Sequence, residues 1–366
     1  MPQIKDITRE LEKLAPLSYQ ESYDNAGLLV GNAATEVTGI LISLDVTEEV
    51  VEEARTRNCN LIVAHHPIIF KGLKKLNGSN YVERTVIKAI KNDIAIYATH
   101  TNLDHVQPGV NHMIGQRLGL QNLKILAPKN QILKKLTFFT PLTHSQIILN
   151  ALFEAGAGEI GQYSRCSFRT EGTGTFLPSE SANPVIGSKG KLEEVNEHRI
   201  EVMFPSHLQN KVVSALRQFH PYEEVAYYLH ILENDNQEVG AGAVGELPEA
   251  MPANDFLRML KKQMNTGVIK YTPSANTMIK KVAVCGGAGS FLLSDARRVQ
   301  ADAFVTADYK YHEFFDAENA IMICDIGHYE SEVFTKNLLY NYLSGNFSNF
   351  ALCLSDVNTN PVKYFV

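Results

Sequence analysis

Short apolar segments typical of β-strands alternate with helical segments near both ends of the chain. The strand-like segments cover residues 38–44, 61–64, 94–99, 281–285, 303–306 and 321–325. Alternation of this kind predicts an α/β fold with parallel or mixed sheets flanked by helices. In sheets of this type, ligands bind at the carboxyl ends of the strands.

The middle of the chain has a different pattern, in which apolar and polar residues alternate along each strand. Strands are predicted at residues 135–139, 199–204 and 224–229, helices at 146–155 and 210–219, and a Gly-, Ser- and Pro-rich loop at 171–190. This order predicts a ferredoxin-like α+β domain with one exposed sheet face. We therefore expect residues 131–235 to be inserted into a discontinuous main domain made of residues 1–130 and 236–366.

The composition narrows the classes of function. The formal net charge is −6, from 34 basic and 40 acidic residues, which argues against nucleic-acid binding as the main activity. No apolar run approaches the roughly 18 residues that a membrane span needs, and the N-terminus lacks the apolar core of a signal peptide. The five cysteines form no Cys-x-x-Cys pair, as expected for buried thiols in a reducing compartment. These features predict a cytoplasmic protein that does not associate with membranes.

Polar side chains gather where the predicted strands end. The residues that share this position are Asp45, His65, His66, Asp104, Asp308 and His328. His65 and His66 follow an apolar strand directly, and Pro67 stops the strand from continuing. Adjacent side chains on an extended backbone point to opposite sides, so a His-His pair suits two metal ions better than one.

A second set of ligand types follows residue 325. Gly327 permits a sharp turn into a helix, and His328 and Glu332 share one face of that helix because they are four residues apart. Ser331 is expected to cap or support this turn. His312 is a candidate acid–base group or a partner of a ligand, although a surface position fits it nearly as well.

Together these side chains predict a dinuclear metal site. The proposed ligands are His65, His66, Asp104, His328 and Glu332. Imidazoles and carboxylates without a thiolate suit Zn, Mn, Fe or Co and disfavour Ca, and Zn is our first choice. Five side chains exceed the needs of one open tetrahedral Zn site but match two ions bridged by a carboxylate. We expect Glu332 to bridge, His66 and Asp104 to hold one ion, and His65 and His328 the other.

The segment Gly286-Gly287-Ala288-Gly289-Ser290 permits two interpretations. It follows a predicted strand and precedes a helix, so its backbone N–H groups would suit a phosphate. It lacks the Lys-Ser/Thr ending of a P-loop and the full dinucleotide fingerprint. A tight turn without a ligand is about equally consistent with these residues.

The chain resembles the GTP cyclohydrolase 1 type 2 homologues, also called the NGG-one-interacting-factor-three-like proteins. The matching segments run in order along nearly the whole chain, at residues 24–31, 43–47, 65–67, 100–104, 285–289 and 327–332. The resemblance implies a dinuclear site on the five residues named above and cytoplasmic, ring-shaped homohexamers. The middle insertion resembles the PII-like or CutA-like domain of longer members through residues 156–161 and 220–224. Tyr23 and Ala307 depart from the Trp and Gly that the family often has there, and neither is a proposed ligand.

Three functions are consistent with these sequence features. The first is a metal-dependent hydrolase that acts on a nucleotide-like small molecule, with GTP among the candidates. The alternative is a metal-responsive regulatory or scaffold protein that binds a ligand or partner through its ring assembly and PII-like domain. A third interpretation is a structural assembly in which the metals only hold the strand ends together.

Overall fold

The computed structural model describes residues 2–347 and 351–365 and divides into two compact units. The first unit comprises Met1–Ala127 and Glu238–Val366, and the second comprises Pro128–Gln237. The sequence pattern places the corresponding borders at residues 131 and 235, close to these positions. Among the described residues, no helix combines the length and the apolar character that a membrane span requires.

The first unit contains a five-stranded sheet built from short, fully buried central strands. Its strands are β1 (Gly27–Val30), β2 (Gly39–Ser43), β3 (Leu61–Ala64), β4 (Ala95–Ala98) and β15 (Ala351–Leu354), in the order β1-β4-β3-β2-β15. β15, β2, β3 and β4 are parallel, and β1 is antiparallel to β4. Every residue of β2, β3 and β4 is buried, as expected for parallel strands covered on both faces.

A second sheet of the first unit is mixed. Its strands are β5 (Gln121–Lys129), β10 (Asn236–Pro252), β11 (Lys270–Tyr271), β12 (Met278–Ala288), β13 (Ala303–Ala307) and β14 (Met322–Asp325), in the order β11-β14-β13-β12-β10-β5. β12, β13 and β14 are parallel, whereas β10 is antiparallel to β12 and β11 is antiparallel to β14. The predicted α/β class with parallel or mixed sheets is therefore confirmed.

Helices flank both sheets, and two of them, α2 and α3, begin at residues whose side chains cap the helix. The helices of the first unit are α1 (Ile4–Leu14), α2 (Glu48–Thr56), α3 (Tyr81–Lys91), α4 (Thr101–Asp104), α5 (Val110–Arg117), α8 (Ala253–Gln263), α9 (Leu293–Arg298), α10 (His328–Glu332) and α11 (Thr335–Asn346). Thr47 caps α2 by accepting a hydrogen bond from the Val50 N–H, and Asn80 caps α3 in the same way. The buried residues Val50, Val51 and Ala54 give α2 its inner face.

The second unit has the order β-α-β-β-α-β. Its elements are β6 (Leu133–Pro141), α6 (Ser145–Glu154), β7 (Phe168–Phe176), β8 (Glu193–Pro205), α7 (Gln209–Phe219) and β9 (Tyr227–Leu232). The strands form one antiparallel sheet in the order β7-β8-β6-β9, which is the ferredoxin-like arrangement. Leu136, Phe138, Ile200 and Val202 pack against the two helices on one face of this sheet.

One prediction for the second unit is wrong. β7 occupies residues that the Gly- and Ser-rich composition assigns to a loop beginning at residue 171. Most of its side chains are exposed, and two of its residues are Gly172 and Gly174, so neither apolar alternation nor β-propensity marks it. Pairing with β8 along its whole length compensates for this weak local signal.

Phe304 provides a test of the first unit's core. Its side chain in β13 is fully buried, and we expect Phe304→Ala to lower the free energy of unfolding by about 3–5 kcal/mol through lost burial and a cavity. Phe291→Ala is the matched control because that ring is 66% exposed, and its effect should stay within about 0.5 kcal/mol. Denaturant unfolding measures both values, and equal effects would contradict the packing described here.

Candidate metal centre

The five predicted ligands lie at the carboxyl ends of strands in the two sheets of the first unit. β3 ends at Ala64, so His65 and His66 follow it directly. Asp104 is the last residue of α4, the short helix that follows β4. β14 ends at Asp325, and α10 then begins at His328 and ends at Glu332. The fold thus brings residues from distant parts of the chain to one place.

The carboxylate of Glu332 lies at the middle of this group. Its Oε2 atom is 2.9 Å from His66 Nε2 and 3.0 Å from His328 Nε2. Its Oε1 atom is 3.8 Å from His65 Nε2, and His65 Nε2 is 3.6 Å from Asp104 Oδ1. These distances group His66 with His328 and His65 with Asp104, which differs from the pairing expected from the sequence.

Two buried atoms in this group have no hydrogen-bond partner among the described residues. They are His65 Nε2 and Asp104 Oδ1, which lie 3.6 Å apart, and His65 Nε2 also lies 3.8 Å from the Glu332 carboxylate. A buried polar atom without a partner is costly, so natural proteins rarely leave two together without a ligand. Ligand atoms of His65, His66 and Glu332 also lie within 4.8 Å of one another. The donors therefore fit a bound cation.

Three imidazoles are oriented by hydrogen bonds from Nδ1, the ring nitrogen that points away from Glu332, to oxygen acceptors. His66 Nδ1 donates to Asp45 Oδ1 at 2.7 Å, and His328 Nδ1 donates to Asp308 Oδ2 at 2.6 Å. His65 Nδ1 donates to the Thr99 carbonyl oxygen at 2.8 Å. Because these acceptors carry no proton, each Nδ1 is protonated and each Nε2 faces the centre. This is the usual support of metal-binding histidines.

Asp45 and Asp308 were predicted only as polar residues at strand ends, without this supporting role. The signal that would have identified them is their place within two residues of the ends of β2 and β13, beside the strands that precede the histidines. Asp45 also accepts a hydrogen bond from Thr359 Oγ1. Burial opposes ionisation of Asp45, but the hydrogen bonds from His66 and Thr359 outweigh it and lower the pKa of this carboxyl.

The buried side chains of this centre shift one another's pKa values. Burial disfavours charge on His66 and His328, yet the hydrogen bonds that they donate to Asp45, Asp308 and Glu332 raise the pKa of His66 to about 9 and that of His328 to about 11. Burial also disfavours charge on Glu332, but the histidines hold its pKa well below the usual value. Burial, and then the charge of Glu332, raise the pKa of Asp104 to about 7. Without a metal, protons on the imidazoles balance the buried carboxylate.

The glycines at the end of β12 donate their N–H groups to side chains of the protein itself. The Gly286 N–H donates to Asn111 Oδ1 at 2.8 Å, and the Gly287 N–H donates to Ser331 Oγ at 3.0 Å. Ser331 in turn donates to the His328 carbonyl oxygen, as expected for a supporting residue. A Cβ on Gly287 would lie 2.5 Å from Glu332 Oε1. The structure therefore favours a tight turn that makes room for Glu332 over a phosphate cradle.

The structure also places a residue that was not among the predicted ligands. The ring of His100 lies 5.4 Å from that of His65 and 5.6 Å from that of His66, centroid to centroid. Its Nδ1 is 2.7 Å from Asp24 Oδ1, and Thr101 Oγ1 also donates to Asp24. The signal was available, because Asp24 opens one matching segment of the family resemblance and His100 opens another.

His312 lies apart from these contacts. It is exposed on the short 3-10 helix Tyr311–Ala317, where its ring stacks on Phe315 at 6.4 Å. Within the described residues it makes no hydrogen bond or ring contact with any of the five proposed ligands. Its acid–base or supporting role stays a prediction.

A cavity of about 680 Å³ opens over the centre and is lined by His66, His328 and Asp308. Phe70, Tyr329 and Tyr364 give it aromatic walls, and Lys270 adds a cation. This volume lies within the range of small-molecule sites, about 300–1,000 Å³. The arrangement has room for an organic ligand beside the five donor side chains.

Gly287→Ala tests the close approach at the glycine turn. Gly287 has a φ of +61°, and the added methyl would meet Glu332 Oε1, so we expect a loss of stability of about 1–3 kcal/mol and a tenfold or greater fall in Zn²⁺ affinity. Gly345→Ala is the matched control, because a Cβ there enters open space and leaves both quantities unchanged or slightly improved. Chelator competition and thermal unfolding provide the readouts, and wild-type Zn²⁺ affinity in Gly287→Ala would contradict the proposed constraint.

Comparison with known proteins identifies the family. Residues 2–361 match the model of the Duf34/NIF3 (NGG1p interacting factor 3) family. The chain is 40% identical over 363 residues to a Halalkalibacterium halodurans protein, and 36% identical over 365 residues to one from Bacillus subtilis, both named GTP cyclohydrolase 1 type 2 homolog. Each alignment covers 98% of both chains. The structure of a Bacillus cereus protein related to NIF3 is similar, with 38% identity, a TM-score of 0.87, and coverage of 100% of this chain and 99% of that one. The chain belongs to the Duf34/NIF3 family.

Proposed function

We propose that this protein is a dinuclear metal-dependent hydrolase that acts on a nucleotide-like small molecule. The observation that carries the proposal is the position of the Glu332 carboxylate, with two imidazoles at one oxygen and the third imidazole nearer the other. One carboxylate shared in this way is typical of sites with two ions about 3.5–4 Å apart. The name shared by the relatives makes GTP the first compound to test.

The distances suggest how the donors would be shared. His65 and Asp104 would hold one ion, His66 and His328 the other, and Glu332 would bridge them. The nitrogen and oxygen donors favour Zn, with Mn, Fe or Co as alternatives. Cys285 is buried close enough to interact electrostatically with Asp104 and Glu332, and burial raises its pKa, so it would remain a thiol rather than a thiolate ligand.

Divalent ions bound here would supply Lewis acidity and lower the pKa of water. The remaining roles belong to side chains. Asp45 and Asp308 fix the imidazole orientations. Tyr329 and Phe70 offer ring faces on which a base would stack. Lys270 lines the same cavity, and although it is paired with Asp325 at 2.6 Å, its exposed side chain would attract an anionic group such as phosphate.

Turnover by the metal-loaded protein tests the proposal. Protein loaded in turn with Zn, Mn and Fe should convert GTP or another member of a nucleotide panel. Chromatography of the products measures this conversion. His66→Ala should lose at least about 100-fold in rate, since it removes a ligand of the centre. His230→Ala, an exposed histidine of the second unit, should behave as wild type. Equal rates in His66→Ala and wild type would refute the proposal.

The alternative function predicts a different outcome. A metal-responsive regulatory or scaffold protein would bind metal tightly, convert no member of the panel, and change its affinity for a partner or ligand with metal. Removing residues 131–235 separates the two functions. A hydrolase site in the first unit should survive the deletion, whereas a sensor that relies on the second unit should lose its response.

The pH dependence of stability provides an independent test of the centre. Because the pKa of His66 in the folded state is about 9, above its ordinary 6.5, the protonated form stabilises the metal-free protein. This contribution is complete below pH 6.5 and is lost as the pH rises through about 9. We expect the melting temperature of chelator-treated protein to fall across this window, while Zn²⁺ affinity rises because protons no longer compete. His66→Ala should lack this part of the dependence, and a melting temperature that rises with pH in wild type would contradict the assignment.

Three further expectations from the family resemblance complete the proposal. We propose a ring-shaped homohexamer, a PII-like or CutA-like identity for the inserted unit, and a cytoplasmic location. The strand order of the second unit supports the second of these. Light scattering of the purified protein tests the first, with a mass near that of one 40.7 kDa chain as the contradicting result.

A further inference from the structure

The second unit contains a cavity of its own, remote in sequence from the metal centre. It has a volume of about 700 Å³, within the range of small-molecule sites. It lies on the open face of the sheet, opposite α6 and α7, and the loop that follows β7 contributes Leu177, Val185 and Ile186 to its walls. All of its lining residues belong to the second unit.

One carboxylate in this cavity is both buried and incompletely bonded. Glu197 on β8 is only 7% exposed, and its Oε1 accepts a hydrogen bond from the Tyr222 hydroxyl at 2.8 Å. Its Oε2 has no hydrogen-bond partner among the described residues. Unlike His65 Nε2 and Asp104 Oδ1, it is not fully inaccessible, and Glu197 lines the cavity. A buried carboxylate with a free oxygen calls for a donor or a cation.

The surroundings hold this carboxylate in place before any ligand binds. Tyr222 packs against His220, whose Nε2 donates to the Phe139 carbonyl oxygen at 2.8 Å. Burial and the charge of Glu197 raise the pKa of Tyr222, so its hydroxyl remains a donor. On β7, a Cβ at Gly174 would lie 2.1 Å from Glu197 Oε2, so this glycine leaves the space that the carboxylate occupies.

The charge and ring content of the walls indicate the class of ligand. Three glutamates and one arginine line the cavity: Glu197, Glu223, Glu224 and Arg199. Glu171 also lines it, but its carboxylate lies 3.8 Å from His198 Nε2, on the other face of the sheet. The Arg199 guanidinium is already paired with Glu201 at 2.7 Å. Phe139, Phe176 and Tyr222 line the same space, and aromatic faces beside carboxylates attract organic cations. An anionic ligand would meet repulsion here.

We propose that this cavity is a binding site for a small organic cation with an aromatic or apolar body, whose charged N–H group bonds to Glu197. The site is separate from the metal centre and requires no metal. It gives the second unit a ligand-binding role beyond the proposed hydrolase activity.

Three indole compounds that differ in charge test the proposal on the full-length protein: tryptamine (cationic), N-acetyltryptamine (neutral) and indole-3-propionate (anionic). Calorimetry and ligand-observed NMR should show tryptamine binding at least about tenfold more tightly than the other two. Chelator treatment should leave this binding unchanged. Absence of binding by tryptamine at about 10 mM, or equal binding of all three compounds, would overturn the proposal.

Substitutions locate the binding site. Glu197→Gln keeps the shape and an acceptor for Tyr222 but removes the charge, so tryptamine should bind at least about tenfold more weakly. Gly172 lines the cavity, pairs with Glu197 across the strands, and has open space at its Cβ, so Gly172→Leu should fill the cavity and abolish binding without unfolding the unit. Glu194→Gln is the matched control, since Glu194 is exposed on the opposite face of β8.

Both cavity variants should keep the wild-type melting temperature, which separates loss of the site from loss of the fold. Wild-type tryptamine affinity in Glu197→Gln or in Gly172→Leu would place any binding elsewhere and overturn the assignment. An equal loss in Glu194→Gln would likewise overturn it, because the effect would then reflect net charge alone.

Discussion

The buried carboxylate of Glu332 is the constraint on which the first unit's functional region depends. A carboxylate that is 3% exposed would be strongly destabilising without positive charge beside it. Three imidazoles from two sheets surround it, and their far nitrogens donate to Asp45, Asp308 and the Thr99 carbonyl. The fixed orientation leaves each Nε2 facing inward. This arrangement supports the proposal that the cluster binds cations.

This constraint accounts for features that look unrelated along the chain. Gly287 has no side chain because Glu332 occupies that space, and Ser331 ties the same turn to α10. The second unit also has a glycine beside a buried carboxylate, since Gly174 leaves room for the Glu197 side chain.

Much of the fold followed from local patterns. The alternation of apolar strands and helices predicted the α/β class, and the pattern of the middle region predicted α6 and α7 to within one residue at each end. The sequence did not predict β7, because its exposed residues and its glycines lack the apolar alternation typical of a strand. Pairing with β8 along its whole length stabilises it. The predicted grouping of the ligands disagrees with the grouping that the distances indicate, for a related reason. The distance between His66 and His328 is fixed by the packing of the sheets, which cannot be predicted from a local sequence pattern.

The sequence by itself determined which chemical groups this protein brings to its strand ends, because residue type, strand periodicity and the four-residue spacing of His328 and Glu332 are local properties. Only the tertiary structure decided which groups meet. His66 and Glu332 are 266 positions apart along the chain, and their 2.9 Å contact arises from the packing of two separate sheets. The glycine turn was open to two interpretations for the same reason. Its N–H groups are free or occupied depending on distant residues, here Asn111 and Ser331.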